Sequence, residues 1–298
     1  MKRKVIIECP TNLGLAQSTY AKEPGVRFLP TWLEKYRLYS IINPDKIYRI
    51  EAPAYSMNLD ENTQVRNADE IIEYATKQAD IVEEELSKNS FLIVLGGDCS
   101  ILIGSALALK RKGRYGLFFL DGHTDYVLPG QLGVHGAAGM DLAIVCGAGH
   151  ERLTNIQNNK PYIEEEYVFC VGNREYNEEY ERPIKESKVV YYPLSKLRNY
   201  GIKRVVSDFL MRVEEYDLEG YFIHLDVDVL NDKIMPAVDC RQEDGLNYKE
   251  LKEILIPLVK DKRCVGLEIA ILDPDLDPLG VYTNEFIENV RDIIETSL

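Results

Sequence analysis

Three short apolar runs in this chain each end in a cluster of acidic, thiol or imidazole side chains. The runs are Phe91 to Leu95, Gly116 to Leu120 and Tyr221 to Leu225, and they lead into Gly96-Gly97-Asp98-Cys99-Ser100, Asp121-Gly122-His123-Thr124-Asp125 and Asp226-Val227-Asp228. Short runs without polar alternation fit strands buried on both faces, the habit of parallel sheets covered by helices. A single aspartate at a strand end is ordinarily a helix cap or a turn residue. Three strand ends carrying D-C-S, D-x-H-x-D and D-x-D ask for another cause. Gathering four carboxylates in one dry cluster is prohibitively unfavourable, through desolvation and mutual repulsion, unless cations neutralise them. The pattern therefore points to divalent metal.

Strand geometry tests that reading. Alternate side chains of a strand share a face and successive residues rise about 3.3 Å, so Asp226 and Asp228 point the same way about 6.6 Å apart. Asp121, His123 and Asp125 share parity too, but a straight strand would hold the outer two about 13 Å apart. The chain must curl after Asp121, and Gly122 and the small Thr124 permit it.

The rest of the chain alternates strand and helix. Val5 to Cys9, Tyr167 to Val171, Lys188 to Tyr192 and Cys264 to Leu272 read as further strands. Asn67 to Ser87, Ser100 to Lys110, Lys203 to Val213, Lys249 to Lys260 and Thr283 to Thr296 read as helices, with a short one entered through Pro30. Tyr126 to Gly139 is a long irregular stretch containing His135-Gly136, and loops of that length in a compact domain usually serve function. The alternation predicts an α/β fold, a three-layer α/β/α sandwich with a mainly parallel central sheet. Ligands of such sheets bind outside the carboxyl ends of the strands, where every acidic cluster falls. Residues 1–298 show no linker, repeat or low-complexity run, and a single domain is expected.

Composition excludes some partners. With 35 Lys plus Arg against 49 Asp plus Glu, the formal charge of −14 repels phosphate backbones and attracts small cations. Glu83-Glu84-Glu85, Glu164-Glu165-Glu166 and Glu178-Glu179 read as solvated faces. No run approaches the about 20 apolar residues of a membrane span, and Val5-Ile6-Ile7 is too short for a signal-peptide core. Six cysteines without paired spacing suit a reducing compartment. A cytoplasmic location is expected, with neither nucleic acid nor membrane as partner.

The three motifs resemble those of the ureohydrolase superfamily, the arginase and agmatinase fold. Gly96 to Ser100 resembles its Gly-Gly-Asp-His-Ser, Asp121 to Asp125 its Asp-Ala-His-x-Asp, and Asp226 to Asp232 its Asp-x-Asp-x-x-Asp-Pro. Gly25-Val26, Pro30 with Leu33, and Gly266-Leu267-Glu268 extend the likeness over most of the chain. The resemblance implies two manganese ions (Mn2+) bridged by hydroxide and held by Asp121, His123, Asp125, Asp226, Asp228 and the residue at 99. It also implies that His135 shuttles protons, that the hydroxide attacks a guanidine or amidine carbon, and that the chain forms a homo-oligomer. The oxygen-rich ligand set suits manganese on chemical grounds as well. His150 and His224 match no ligand position and are expected in core or surface roles.

Three positions depart from the pattern. Cys99 stands where the superfamily usually has a metal-binding histidine, and thiolate is a poorer partner for manganese. It either ligates, loosening one ion, or packs as a neutral thiol, leaving a single firmly held ion. A branch with cysteine here is expected to include hydrolases of N-hydroxylated arginine. Ile271 replaces the glutamate that pairs the guanidinium in arginase-like enzymes, so Glu268 or Asp273 is expected to bind substrate instead. Asn231-Asp232 replaces Asp-Pro and is expected to alter only a turn. The leading expectation is a metal-dependent hydrolase of a linear C–N bond in an arginine-, hydroxyarginine- or agmatine-like compound. A formimino or acyl amide hydrolase on the same fold, and a metal-binding paralogue without catalysis, stay open.

Overall fold

The computed structural model describes residues 2–18 and 21–297. Eight strands form one sheet: β1 (Lys4–Cys9), β2 (Lys46–Arg49), β3 (Phe91–Gly96), β4 (Tyr115–Leu120), β5 (Val168–Val171), β6 (Val190–Tyr192), β7 (Gly220–Asp226) and β8 (Cys264–Ala270). They run in the order β2-β1-β3-β8-β7-β4-β5-β6, and every adjacent pair is parallel. β3 and β7 are buried along their whole length, as the unbroken apolar runs require. Each isoleucine, leucine or phenylalanine so buried contributes about 1.5–3 kcal/mol. Helices cover the sheet to give the three-layer α/β arrangement.

Helix Ala68–Ser87 presents Ile71, Ala75, Gln78, Ala79 and Val82 inward at spacings of three and four, and packs on Ile101–Lys112. Asp69 and Glu70 favour its N-terminal dipole, whereas the Asn67 side chain makes no capping bond. Tyr248–Lys260 opens with a capping box between Asn247 and Glu250, and packs on Ile202–Glu215 and Val281–Ser297.

Chain order places the site. β3 and β4 are consecutive in sequence but are separated in the sheet by β8 and β7, so the segments leaving β3 and β4 part around a crevice at the carboxyl edge. Cys99 follows β3, Asp121 follows β4 and Asp226 ends β7, all at that edge.

Some expected elements differ. β8 stops at Ala270, two residues short of expectation, because Ile271 takes a left-handed φ of 76°. β2 and the helices Glu178–Glu186 and Leu194–Tyr200 were not foreseen. β2 is a polar edge strand of four residues, and Glu178–Glu186 hides behind its glutamates and an internal Pro183. Among the described residues, no helix is long and apolar enough to cross a membrane.

Candidate metal centre

The chain curls after β4 as its motif demands. Gly122 donates its N–H to Asp228 Oδ1 at 2.9 Å, and a Cβ at Gly122 would lie 2.4 Å from Arg174 Nη1 and 2.7 Å from that same oxygen. A side chain there would have to displace the tip of Arg174 and shift the Asp228 carboxylate. Asp125 completes the curl with a left-handed φ of 42°. β7, by contrast, does not run straight through its motif. It ends at Asp226, whose carboxylate accepts the Asp228 N–H at 2.7 Å and folds Val227–Val229 into a tight turn. Asp98 is likewise used locally, accepting from Ser100 N at 2.9 Å and Gly14 N at 3.1 Å.

These turns bring Cys99, Asp121, His123, Asp226 and Asp228 together. His123 Nδ1 is 2.8 Å from Asp228 Oδ2 and 3.7 Å from Asp121 Oδ1, and one donor atom from each of the three lies within 4.8 Å of the others. A second cluster of the same span joins Asp121 to Cys99 and His224. Asp121 is common to both. Cys99, His123, Asp125, Asp226 and Asp228 line a cavity of about 220 Å³, with Leu15, Val134, Ala138, Tyr180, Asp239 and Ile271 among its walls. Asp125 and Asp226 line this cavity but belong to neither tight cluster.

The electrostatics express crowding. Burial, then Asp228 and Asp121, push the Asp226 carboxyl well up. Burial, then Asp121, do the same to Asp125. Burial and the neighbouring Asp226 push the Cys99 thiol up, so it stays protonated and donates to Asp226 Oδ2 at 2.9 Å. Burial opposes charge on His123, but Asp228 and Asp121 outweigh it and raise the ring. Asp228 is depressed because His123 and Arg174 outweigh its burial. Arg174 also donates to the Asp228 carbonyl at 2.7 Å.

The donors fit divalent cations. Among the described residues, Asp121 Oδ2, His123 Nε2 and His224 Nε2 are buried without hydrogen-bond partners, a combination that native interiors rarely tolerate. Carboxylates with a few nitrogens form a competent ligand set for such ions.

Other expected residues lie elsewhere. His135 is not in the cavity wall; its Nδ1 sits 2.9 Å from the Gln64 carbonyl, and its neighbour Val134 lines the cavity. Glu268 faces the sheet interior, with its oxygens 2.7 Å from Ser105 Oγ and 2.6 Å from His224 Nδ1. Asp273 spends its carboxylate on backbone, accepting from Gly25 N at 3.0 Å and Asp275 N at 2.9 Å. Neither acidic group reaches the cavity. Sequence reasoning missed Tyr180 and Asp239 in the cavity wall, and it placed His224 in the core, where it is buried, without foreseeing its approach to Asp121 and Cys99. For His224 a signal existed, since it shares strand parity with Asp226; for Asp239, on an irregular loop, none did.

The model described as Arginase family matches residues 4–290. An arginase of Staphylococcus aureus is 29% identical over 218 residues, covering 73% of this chain and 72% of that protein. The native structure of arginase from Bacillus caldovelox superposes with a TM-score of 0.88 at 25% identity, covering 99% of this chain and 98% of that one. Formimidoylglutamase from Bacillus subtilis shares the fold, with a TM-score of 0.75 at 19% identity over 99% of this chain and 87% of that one.

Proposed function

The chain belongs to the arginase family, which makes it a hydrolase of carbon–nitrogen bonds in amidines, and from that premise we propose that its substrate is a small cationic guanidino or amidino compound hydrolysed at a two-ion centre. The observation that carries the reading is Asp121, a buried carboxylate shared by two donor clusters and left with one oxygen unpaired. Cys99, Asp121, His123, Asp125, Asp226 and Asp228 would hold the ions, two of manganese, or one where Cys99 stays a neutral thiol. Bound divalent ions supply an acidified water as nucleophile and stabilise negative charge developing on the substrate.

The chain's own groups do the rest. Asp125 in the cavity wall is placed to accept the proton released as water adds. Tyr180 accepts the Thr124 N–H at 2.9 Å, which leaves its own O–H free to orient the substrate. Leu15, Val134, Ala138 and Ile271 exclude bulk water. His135, on the loop that supplies Val134 and Ala138, carries the proton to the departing nitrogen. The acidic surface, with Asp239 in the cavity wall, draws the cation in.

The test is product detection. Manganese-loaded protein is incubated with arginine, hydroxyarginine, agmatine and guanidinobutyrate, and urea or hydroxyurea is measured. Release from at least one is expected, and silence across the panel overturns the guanidino reading. A second reading is favoured by Ile271, an apolar side chain in the cavity wall. Such a wall also suits a formimino or acyl amide, detected as formamide or ammonia released from formimino amino acids.

A further inference from the structure

The imidazole of His224 stands outside the ligand set above, yet its surroundings leave it one free nitrogen. β7 places it on the same face as Asp226, and Phe119 of β4 stacks on it with centroids 4.7 Å apart and planes 8° apart. Its Nδ1 lies 2.6 Å from Glu268 Oε1. Glu268 is fixed in turn by Ser105 Oγ at 2.7 Å, and Ser105 by Gln78 Nε2 at 2.9 Å. A carboxylate on Nδ1 assigns the ring proton to that nitrogen and leaves a lone pair on Nε2, the arrangement that orients metal-binding histidines.

That Nε2 is fully buried and unpartnered, 4.0 Å from Asp121 Oδ2, which is unpartnered as well. The separation is too long for a hydrogen bond. A cation bound by both, with ligand bonds of about 2.1 Å, would draw the two atoms together by about half an ångström to reach a tetrahedral angle. Cys99 Sγ completes the cluster, all three donor atoms lying within 4.8 Å of one another.

We propose that His224 is a metal ligand, and that with Cys99 and Asp121 it forms a thiolate–imidazole–carboxylate half-site selective for a borderline ion of the zinc type. The inference rests on the two-ion reading of the cavity and deepens it. Sulfur and nitrogen donors favour such ions, whereas the carboxylate-rich half around His123 and Asp228 suits manganese. Binding deprotonates the Cys99 thiol and releases its proton to solvent.

The experiment titrates chelator-treated, full-length protein with cobalt(II) and zinc. Wild type is expected to show a thiolate-to-cobalt charge-transfer band with one equivalent, and X-ray absorption of protein carrying one equivalent of zinc is expected to report one sulfur and at least one imidazole. His224→Asn keeps a donor for Glu268 and removes Nε2; it should weaken that equivalent by about tenfold or more without touching the other. Cys99→Ser should abolish the band. A His224→Asn protein with native circular dichroism and unchanged band and affinity overturns the inference. So does zinc bound through sulfur with no imidazole in wild type, a measurement that does not depend on the variant folding. Wild type that takes up no metal at all overturns the two-ion reading itself, whereas uptake without a thiolate band overturns only this half-site.

Discussion

The Cys99 thiol donates to Asp226 Oδ2 across 2.9 Å, tying the turn after β3 to the end of β7. Burial and the surrounding carboxylates keep that thiol protonated, so any ion binding there must displace a proton. Cys99→His replaces a soft donor by imidazole and removes the displacement cost. Protein purified from manganese-supplemented cells is expected to carry more manganese in the variant by elemental analysis. Unchanged content removes position 99 from the ligand set.

Ile271 sits in the cavity wall at φ 76°, its N–H bonded to the Gly97 carbonyl at 2.8 Å. A β-branched residue at positive φ carries about 1–3 kcal/mol of strain. Ile271→Glu relieves the branching and places a carboxylate on that wall. Its kcat/KM for agmatine relative to a neutral amidine should rise about tenfold, or about 1.4 kcal/mol. Steady-state kinetics with both substrates decide, and an equal loss on each would mean that this wall does not meet the substrate.

What the sequence disclosed follows from which signals are local. Central strands were legible because β3, β4 and β7 are largely apolar runs, and the candidate site because carboxylates clustered at the ends of such runs have little structural reason to be there. β2 was not, since Lys46-Ile47-Tyr48-Arg49 at a sheet edge has no buried face to advertise it. Tyr180 was hidden because Glu178 and Glu179 advertise only the solvated face they form, in the first turn of a helix capped by Asn177 whose other side carries the tyrosine inward. Glu268 shows the limit of parity: alternation says that it shares a face with Ala270, but which face meets the cavity depends on how β8 lies between β3 and β7. His224 was legible in principle, by its two-residue offset from Asp226, and lacked only a motif to give it meaning.

His135 is pinned by the Gln64 carbonyl at 2.9 Å and must swing out of that bond to carry a proton. His135→Ala is expected to lower kcat by about 100-fold with metal content unchanged, the range of a lost general acid or base. A variant with full kcat would assign His135 to holding the loop, and its thermal unfolding would then report the lost Gln64 bond.

Glu85, expected on a solvated face but fully buried, sets an acid limit on the fold, well away from the candidate metal centre. Its buried carboxylate accepts from Arg3 Nη1 at 2.8 Å, Tyr48 Oη at 2.7 Å, Lys88 Nζ at 2.9 Å and Ser90 Oγ at 2.8 Å, joining β1, β2 and the end of helix Ala68–Ser87. Burial alone would raise its pKa, but Lys88, Tyr48, Ser90 and Arg3 outweigh it and bring it from 4.5 down to about 2. Because the folded pKa lies below the unfolded one, the stabilisation is complete above about 4.5 and is lost as pH falls toward about 2. Glu85→Gln keeps the shape and removes the charge, so at neutral pH it should cost about 1.5–3 kcal/mol in urea unfolding. The gap between variant and wild type should then close as the pH is lowered through that window. A gap that stays constant down to pH about 2 would show that the ionisation of Glu85 contributes nothing to the fold's pH dependence.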